Sequence, residues 1–302
     1  MYMDYYSKLL GKIPFFLKKY LNCPSLKRLK KIGYFCGMDN ASKDVYDFKE
    51  YVTRYDHSLN VARITYKYTK DKKATLAGLF HDVATPCFSH VIDYMNKDYS
   101  KQESTEEFTE TILKSDKMLK KLLREDKIDI EDIINFKKYS IVDNDRPRLC
   151  ADRFDGVILT GALWTKNLSL RDIKDFTDNL AVYQNEDKKL ELGFDSREIA
   201  KRVVDESKNI DIICHSKEDN YMMDLLGNLT EYVIKNKIIK YEDLFIITED
   251  KLYKIFDGID NKNFKKDLLK FKTIKCSEIP EIDLPNIKAR DLNPLVRGKR
   301  FK

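Results

Sequence analysis

Apolar residues recur at helical spacing along most of the chain. Between residues 54 and 70, His57, Val61, Ile64 and Tyr68 follow one another at steps of three or four, which is the spacing of one helix face. A nearly continuous apolar run at 74–80 predicts a second helix, and the charged stretch 70–73 separates the two. His57 is therefore expected on the core-facing side of the first helix.

The rest of the pattern predicts further helices and one hairpin. Helical spacing continues in 100–140, 147–164, 169–180, 196–236 and 242–256, and the range 196–236 predicts two long helices. Alternating apolar residues around Asn185-Glu186-Asp187 predict a β-hairpin at 181–193, the only strand signal in the chain. The predicted fold class is mostly α: a helical bundle with a small β-hairpin and C-terminal helices.

A proline interrupts the helical pattern after residue 84. The segment Thr85-Pro86-Cys87 should end the second helix, because proline lacks a backbone donor and disfavours helix in the residue before it. A new helix is expected from about Phe88, and the apolar residues that follow His90 predict that this histidine is partly buried.

The pattern divides the chain into four parts. Residues 1–50 are expected to form a lead-in of short helices and loops, 51–165 the core, and 166–278 a C-terminal helical part that packs on the core. Residues 279–302 contain three prolines and a basic end. We expect this tail to be extended and either to pack on another subunit or to stay mobile.

The composition indicates a globular cytoplasmic protein. A chain of 302 residues with 42% hydrophobic content can bury a substantial core. Lys and Arg outnumber Asp and Glu by 56 to 50, but the charges are interspersed. A solvated mixed surface or a basic pocket for a polyphosphate fits this pattern better than stable nucleic-acid binding. Six scattered cysteines indicate reduced thiols, and the apolar run at 13–17 is too short to span a membrane.

Three of the four histidines lie between residues 54 and 90. Two packed helices can bring His57, His81 and Asp82 together, and the later helix can add Asp152. Imidazole and carboxylate suit Mn²⁺, Fe²⁺, Co²⁺, Ni²⁺, Zn²⁺ or Mg²⁺, and the sequence does not choose among these ions. The alternative is two core histidines with salt-bridged aspartates. A metal ion would offset the desolvation of buried carboxylates, which an apolar helix face does not.

These residues stand in recognisable motifs. R-Y-D-H-S-L-N-V, H-D-V-A-T-P-C-F-S-H and A-D-R-F-D, in this order, resemble the motifs of the HD-domain metal-dependent phosphohydrolases. More narrowly they are similar to the deoxynucleoside triphosphate triphosphohydrolases, both the bacterial dGTPases and the vertebrate enzyme that joins a sterile-alpha-motif to an HD domain. The resemblance covers about 50–260 and is weaker after 165. It implies an HD-domain bundle that binds a divalent metal through His57, His81, Asp82 and Asp152.

The resemblance also implies roles for other side chains. Arg54 and Arg153 match residues that contact substrate phosphates, although both could simply be solvated. His90, with Asp82, is expected to take part in catalysis; the alternative for His90 is a satisfied core histidine. Gln102 stands where the family often has a histidine before a glutamate, and we expect it beside the substrate. In the family the segment before R-x-x-H often carries a substrate-proximal residue, which this sequence does not identify.

Four positions depart from the family pattern. Thr85 replaces a catalytic histidine, Gln102 another histidine, Gly156 a tyrosine that packs on the sugar, and Thr160 an aspartate. The expected function remains a metal-dependent phosphohydrolase of nucleotides, most simply a (d)NTP triphosphohydrolase that releases triphosphate by metal-activated water. The alternatives are a nucleotidase or phosphodiesterase of HD type and a non-hydrolytic regulatory HD module. Self-association into a homo-oligomer is expected, as in resembling enzymes.

Overall fold

Helices account for most of the chain in the computed structural model, which describes residues 1–100, 104, 106–283 and 285–302. The α-helices are α1 (Tyr2–Leu9), α2 (Pro24–Arg28), α3 (Arg54–Thr69), α4 (Lys72–Phe80), α5 (Val91–Met95), α6 (Thr109–Ser115), α7 (Lys117–Glu125), α8 (Glu131–Ile134), α9 (Ala151–Leu163), α10 (Leu170–Asn179), α11 (Arg197–Cys214), α12 (Lys217–Lys235), α13 (Glu249–Asp257) and α14 (Lys262–Thr273). Short 3-10 helices lie at Phe15–Asn22, Leu29–Lys31, Met38–Asn40, Phe136–Lys138, Tyr241–Phe245 and Cys276–Glu278. The predicted mostly α fold is confirmed.

Local capping fixes where α3 and α4 begin. The Thr53 side chain accepts a hydrogen bond from the Asp56 N–H, and the Asp56 carboxylate accepts one from the Thr53 N–H at 3.0 Å. This reciprocal pair satisfies backbone donors that the helix start would otherwise leave open. Lys70 ends α3 in left-handed backbone, and the Asp71 carboxylate caps α4. The two helices therefore form where the apolar spacing places them.

The α3–α4 pair lies between two apolar clusters. Ala62 and Leu79 belong to the cluster that includes the C-terminal helices α12, α13 and α14, whereas Val61 and Ala77 belong to the cluster around α9, α11 and the sheet. The sequence predicted one buried face for α3, but nine of its sixteen residues are buried. A Cβ at Gly78 would lie 3.3 Å from Val61 Cγ1, so α4 can approach α3 closely. The pair is the centre of the molecule, and its ends carry the predicted ligands.

The predicted hairpin forms and is extended by the tail. Strands β1 (Leu180–Gln184) and β2 (Leu190–Phe194) are antiparallel, with β3 (Leu295–Val296) parallel to β2 and β4 (Lys299–Arg300) antiparallel to β3. No strand was predicted at β3 or β4, because two-residue strands are too short to show alternation. A Cβ at Gly193 would lie 2.4 Å from the Leu295 carbonyl oxygen, so glycine is required where β3 joins β2.

The C-terminal tail packs on its own chain. Residues 285–294 have no regular secondary structure, but Ile287, Leu292 and Leu295 are buried against the rest of the molecule. The expectation of a mobile tail is therefore wrong for these residues, and packing on another subunit stays a prediction. Local spacing could not show this, because the partners of the tail lie far away in the sequence.

The two long helices predicted at 196–236 are α11 and α12. The helix predicted from Phe88 begins three residues later, at Val91, because Phe88 and Ser89 adopt left-handed backbone with φ of 64° and 48°. None of the helices in the described ranges is long and apolar enough to cross a membrane.

The contact between Arg300 and Glu191 provides a test of the tail's docking. Glu191 is fully buried, and its two carboxylate oxygens lie 2.5 and 2.7 Å from the Arg300 guanidinium. Arg300→Ala leaves a buried carboxylate without its cation, which should lower the free energy of unfolding by about 3 kcal/mol in urea titrations. Lys299→Ala, at an exposed neighbouring position, should change it by less than about 0.5 kcal/mol. Equal unfolding midpoints for the two variants would contradict the docked tail.

Candidate metal centre and active-site cavity

His57 is held at both ring nitrogens by carboxylates of one helix. Its side chain is 1% exposed, with Nδ1 2.7 Å from Asp155 Oδ2 and Nε2 2.9 Å from Asp152 Oδ1. Asp152 and Asp155 are three residues apart on α9, so both lie on the same helix face. Because fully buried Asp155 accepts the Nδ1 proton, Nε2 is the nitrogen that faces Asp152 and the site, where a metal ion could take the place of its proton. This is the arrangement by which an acidic partner orients a metal-ligating histidine.

The second histidine, His81, directs its Nε2 toward the same site. It caps the end of α4, and its Nδ1 donates to the Gly78 carbonyl at 2.8 Å. Its Nε2 is buried and has no hydrogen-bond partner among the described residues. That nitrogen lies 3.7 Å from both Asp152 Oδ1 and Asp82 Oδ1. A buried lone pair without a partner costs free energy, which a cation at this point would recover.

Asp82 completes the set that the sequence predicted. Its Oδ2 lies 3.8 Å from His57 Nε2 and 3.2 Å from Arg54 Nη1. His57, His81 and Asp152 offer ligand atoms that all lie within 4.8 Å of one another, and Asp82 lies beside them. Three of the predicted ligands therefore lie close enough together to share one ion, and Asp82 lies at the edge of this group, paired with Arg54.

The charges at this point favour a divalent cation. Asp82 and Asp152, whose pKa values are lowered by the neighbouring histidines, and Asp155, whose pKa is raised by burial, offer three carboxylates, and Arg54 supplies one positive charge. Burial opposes protonation of His57, but its hydrogen bonds to Asp152 and Asp155 outweigh burial and raise the pKa of His57 to about 10. The cluster therefore attracts positive charge, and a divalent ion would balance it while leaving both histidines neutral. The donor set of two imidazoles and two carboxylates fits the predicted metal, and its identity stays open.

Arg54 lies at the edge of the centre. Its side chain is buried, and its guanidinium lies 4.9 Å from the centre of the Tyr34 ring. One of its donors, Nε, is buried without a partner among the described residues. Arg54, which the sequence predicted to bind phosphate, thus lines the cavity and has one N–H donor, Nε, that no described residue accepts.

Arg153 is placed differently. Its Nη1 donates to the Arg148 carbonyl at 2.7 Å and to Asn144 Oδ1, and its Nη2 donates to Asp143 Oδ1 at 3.1 Å and to the Asn144 carbonyl. Arg153 lines the cavity, but four of its donor hydrogens hold the loop 143–148 in place. Its predicted contact with substrate would require some of these bonds to be exchanged.

A second group of possible ligands lies next to the first. Asp143, Cys150 and Asp152 offer atoms within 4.8 Å of one another. Burial raises the pKa of the Cys150 thiol well above its usual value, and the Arg153 guanidinium already lies against Asp143. This group is therefore a poorer cation site than the His57 cluster.

His90 forms a dyad with a buried carboxylate. Its Nδ1 lies 2.9 Å from Asp93 Oδ2, and Asp93 is fully buried one helical turn further on. Burial lowers the pKa of His90 despite the opposing effect of Asp93. The imidazole lines the cavity with its Nε2 directed away from Asp93, so it can exchange a proton with a bound molecule.

A strained loop presents this dyad. Phe88 and Ser89 both have positive φ, a conformation that costs about 1–3 kcal/mol per non-glycine residue. Arg28 donates to the Thr85 carbonyl at 2.8 Å, and the buried Glu249 carboxyl accepts the Phe88 N–H at 3.2 Å. These contacts hold the loop in the conformation that places His90 at the cavity wall.

The metal centre opens into a cavity of about 540 Å³. One part of the lining is aromatic, with Phe35 stacked on Phe48 at 4.2 Å and Trp164 near both. Eight of the lining residues are Lys or Arg and six are Asp or Glu, so the wall is positively charged before any metal ion is counted. A cavity of this size, with apolar and cationic parts, suits a small phosphorylated molecule.

The positions that depart from the family pattern have different surroundings. Thr85 is fully buried and does not line the cavity, whereas Gly156 and Thr160 do. A Cβ at Gly156 would lie 3.2 Å from the Tyr34 hydroxyl oxygen, so Tyr34 occupies the space beside this glycine. Tyr34 is a residue of the lead-in that the sequence could not identify. Gln102 lies outside the described residues.

Some residues of the site were missed in the sequence. Asp155 and Asp93 each stand three residues after a recognised residue, Asp152 and His90, and this helical spacing was an available signal. Tyr34 and the tail residue Arg290 also line the cavity, and no local pattern marks either of them. The fourth histidine, His215, does not line the described cavity, and its Nδ1 lies 2.7 Å from the Asp211 carbonyl oxygen.

Comparison with known proteins supports this interpretation of the centre. Residues 54–172, which include all four predicted ligands, match the HD domain family. A protein of Bacillus subtilis (strain 168), the uncharacterized protein YdhJ, is 28% identical over 132 residues, which are 43% of this chain and 40% of that protein. The chain thus covers less than half of that relative's length. HD domains bind divalent metal ions, and the match supports metal-dependent phosphohydrolase chemistry in general.

Asp155→Asn tests whether the second carboxylate on α9 tunes the metal centre. The variant retains the shape of the side chain but removes the charge behind His57, so metal affinity should fall about 10- to 100-fold. Elemental analysis and metal titration of the purified proteins measure the change. Asp178→Asn, at an exposed position on α10, is the matched control. Wild-type affinity in Asp155→Asn would contradict the proposed coupling.

Glu249→Gln tests the support beneath the strained loop. Burial raises the pKa of Glu249 from 4.5 to about 8, so the folded protein holds this proton more tightly than the unfolded chain. The resulting stabilisation is full below pH 4.5 and is lost as the pH rises through about 8. The wild-type melting temperature should therefore fall between about pH 4.5 and pH 8 more steeply than that of Glu249→Gln. Glu242→Gln, an exposed control, should behave like the wild type; the same slope in all three proteins would contradict this role.

Proposed function

We propose that the protein is a metal-dependent phosphohydrolase that acts on a nucleotide, most simply as a (d)NTP triphosphohydrolase. The observation that carries the proposal is the buried His81 Nε2, which has no hydrogen bond among the described residues and lies 3.7 Å from oxygens of both Asp82 and Asp152. Ion pairs at this distance leave the nitrogen without a hydrogen bond, whereas a divalent ion between these groups would bind its lone pair directly.

In the proposed reaction each residue of the centre has a separate role. A divalent ion bound there would polarise a phosphate oxygen and lower the pKa of a water molecule. His57, His81, Asp82 and Asp152 would hold the ion, with Asp155 fixing the tautomer of His57. Arg54 is placed to bind the phosphate that reacts, through the donor that Asp82 leaves open. In this way the enzyme places positive charge where negative charge develops on the phosphate.

The His90–Asp93 dyad is proposed to move the proton. Asp93 fixes the orientation of His90, and the low pKa of His90 keeps it neutral and able to accept a proton near neutral pH. Thr85 is buried outside the cavity lining, so it cannot take over the role of the histidine that the family pattern has there. Proton transfer would then depend on His90.

The nucleotide part of the proposal rests on the shape of the cavity. Phe35, Phe48 and Trp164 offer flat apolar surface for a base, while the cationic wall suits phosphates. Gly156 leaves the sugar-facing position to Tyr34, so selection between ribose and deoxyribose would involve this tyrosine. Selectivity could therefore differ from that of the enzymes that the motifs resemble.

One observation favours a second candidate. With Thr85 and Gln102 in place of histidines, the described cavity lining contains one histidine, His90, besides the proposed ligand His81. A nucleotide-binding regulatory HD module would need the metal centre and the cavity but no proton transfer. Such a module would bind metal and nucleotide at equal stoichiometry without turnover.

The test is a panel of dNTPs, NTPs, nucleoside monophosphates and cyclic nucleotides, assayed with each candidate divalent ion. Release of triphosphate is the expected result, orthophosphate release would indicate a nucleotidase, and ring opening of a cyclic nucleotide a phosphodiesterase. Nucleotide binding without product under any ion would replace the enzyme by the regulatory module.

A point substitution tests the dyad. His90→Gln should lower kcat about 100-fold or more while metal content stays at the wild-type level. His215→Gln, the matched control outside the cavity, should leave both unchanged. Wild-type turnover in His90→Gln would contradict the proton-transfer role.

A further inference from the structure

Residues 285–293, here called the C-terminal strap, form part of the cavity wall. The Arg290 N–H donates to Asp211 Oδ1 at 2.7 Å, and the Arg290 carbonyl accepts from Ser207 Oγ at 2.6 Å. The Lys288 N–H donates to the Tyr99 carbonyl at 3.1 Å. The strap is thus fixed by its backbone to α11 and to the end of the α5 region, and these contacts leave the side chains of Lys288 and Arg290 at the cavity.

The strap is also tied to the loop that Arg153 holds. Arg146 Nη1 donates to the Asp291 carbonyl at 3.2 Å, and the Asn293 N–H donates to the Pro147 carbonyl at 2.7 Å. These bonds bring a third cation, Arg146, beside the two of the strap. Lys288 and Arg290 are two residues apart in a segment without regular secondary structure, and with Arg146 all three line the same cavity as the metal centre.

The three cations are crowded. Burial, with Arg290 and Arg153 nearby, lowers the pKa of Arg146 to about 10. Burial also lowers the pKa of Lys288, and Arg146 and Arg290 add to the effect. Like charges placed together in a half-buried wall cost free energy, and a bound anion recovers it.

This cluster shares the cavity with His90 and with three of the predicted metal ligands, His81, Asp82 and Asp152. Arg290 is close enough to His90 to help lower its pKa, after the larger effect of burial. A divalent ion with Arg54 would only balance Asp82, Asp152 and Asp155, so it would leave no surplus positive charge for the phosphates of a substrate. Arg153 is a weaker candidate for that charge, since its donors hold the loop 143–148.

We propose that the C-terminal strap is the phosphate-binding wall of the active site, with Arg290 and Lys288, supported by Arg146, binding the phosphate chain of the substrate. The inference rests on the proposed function and adds to it two binding residues that lie well outside the segment matched by the HD domain. Arginine is suited to this role because its planar fork binds two phosphate oxygens at once.

Calorimetric titration with inorganic pyrophosphate, with the divalent ion in excess, tests the strap without requiring turnover. Arg290→Gln and Lys288→Gln should each weaken pyrophosphate binding about tenfold, and Arg290→Lys should weaken it less than Arg290→Gln because the charge remains. Arg297→Gln is the matched control: it lies in the same tail, its Nε donates to the Asp195 carbonyl at 2.8 Å, and it does not line the described cavity. It should bind as the wild type does.

The outcomes separate this inference from the proposed function. If pyrophosphate binding depends on Arg290 but the protein hydrolyses no phosphoester, the result would support the phosphate-binding strap and contradict the proposed hydrolase function. If Arg290→Gln and Lys288→Gln hydrolyse substrate with unchanged KM and unchanged pyrophosphate affinity, only the strap proposal is contradicted. A wild-type protein that does not bind pyrophosphate would also contradict the strap proposal. If Arg290→Gln does not fold, the half-buried Lys288→Gln and Arg146→Gln decide in its place.

Discussion

The buried His57 imidazole, held between two carboxylates, is the interaction on which the rest of the site depends. A histidine with 1% exposure and an acidic group at each nitrogen needs either a proton or a metal ion to be stable there. The surrounding helices bring the other ligand residues close to His57. Helix α9 supplies both carboxylates from one face, α4 ends where His81 and Asp82 can reach the same point, and α3 lies between two apolar clusters that keep all three helices in register.

This constraint explains why the centre was predictable from the sequence and the cavity wall was not. His57, His81, Asp82 and Asp152 lie on three helices whose apolar spacing is strong, so each helix fixes the direction of its ligand. The motif order then links helices that are distant in the chain. Arg54 followed from its position one turn before His57.

The remaining parts of the site depend on tertiary contacts without a local signal. The left-handed Phe88 and Ser89 shift the start of α5, since Arg28 and Glu249 hold a backbone that local preference would not choose. Arg153 was expected on the substrate, but the hydrogen-bonding groups of the loop 143–148 bind it first. The tail was misjudged for the same reason: Glu191 and Leu295 explain its docking, and they lie more than 100 residues apart in the sequence.

The position of the strap in the chain has a consequence for the order in which the protein is made. Chains emerge from the ribosome from the N-terminus, and early segments can fold before later ones exist. All four ligands of the metal centre are complete at Asp152, whereas Lys288 and Arg290 follow more than 130 residues later. During synthesis the proposed metal centre can therefore form while the cavity still lacks one wall. With the function and the strap proposed above, a growing chain in that state would hold a metal ion without retaining a substrate beside it, and turnover would begin only after the tail had joined the sheet.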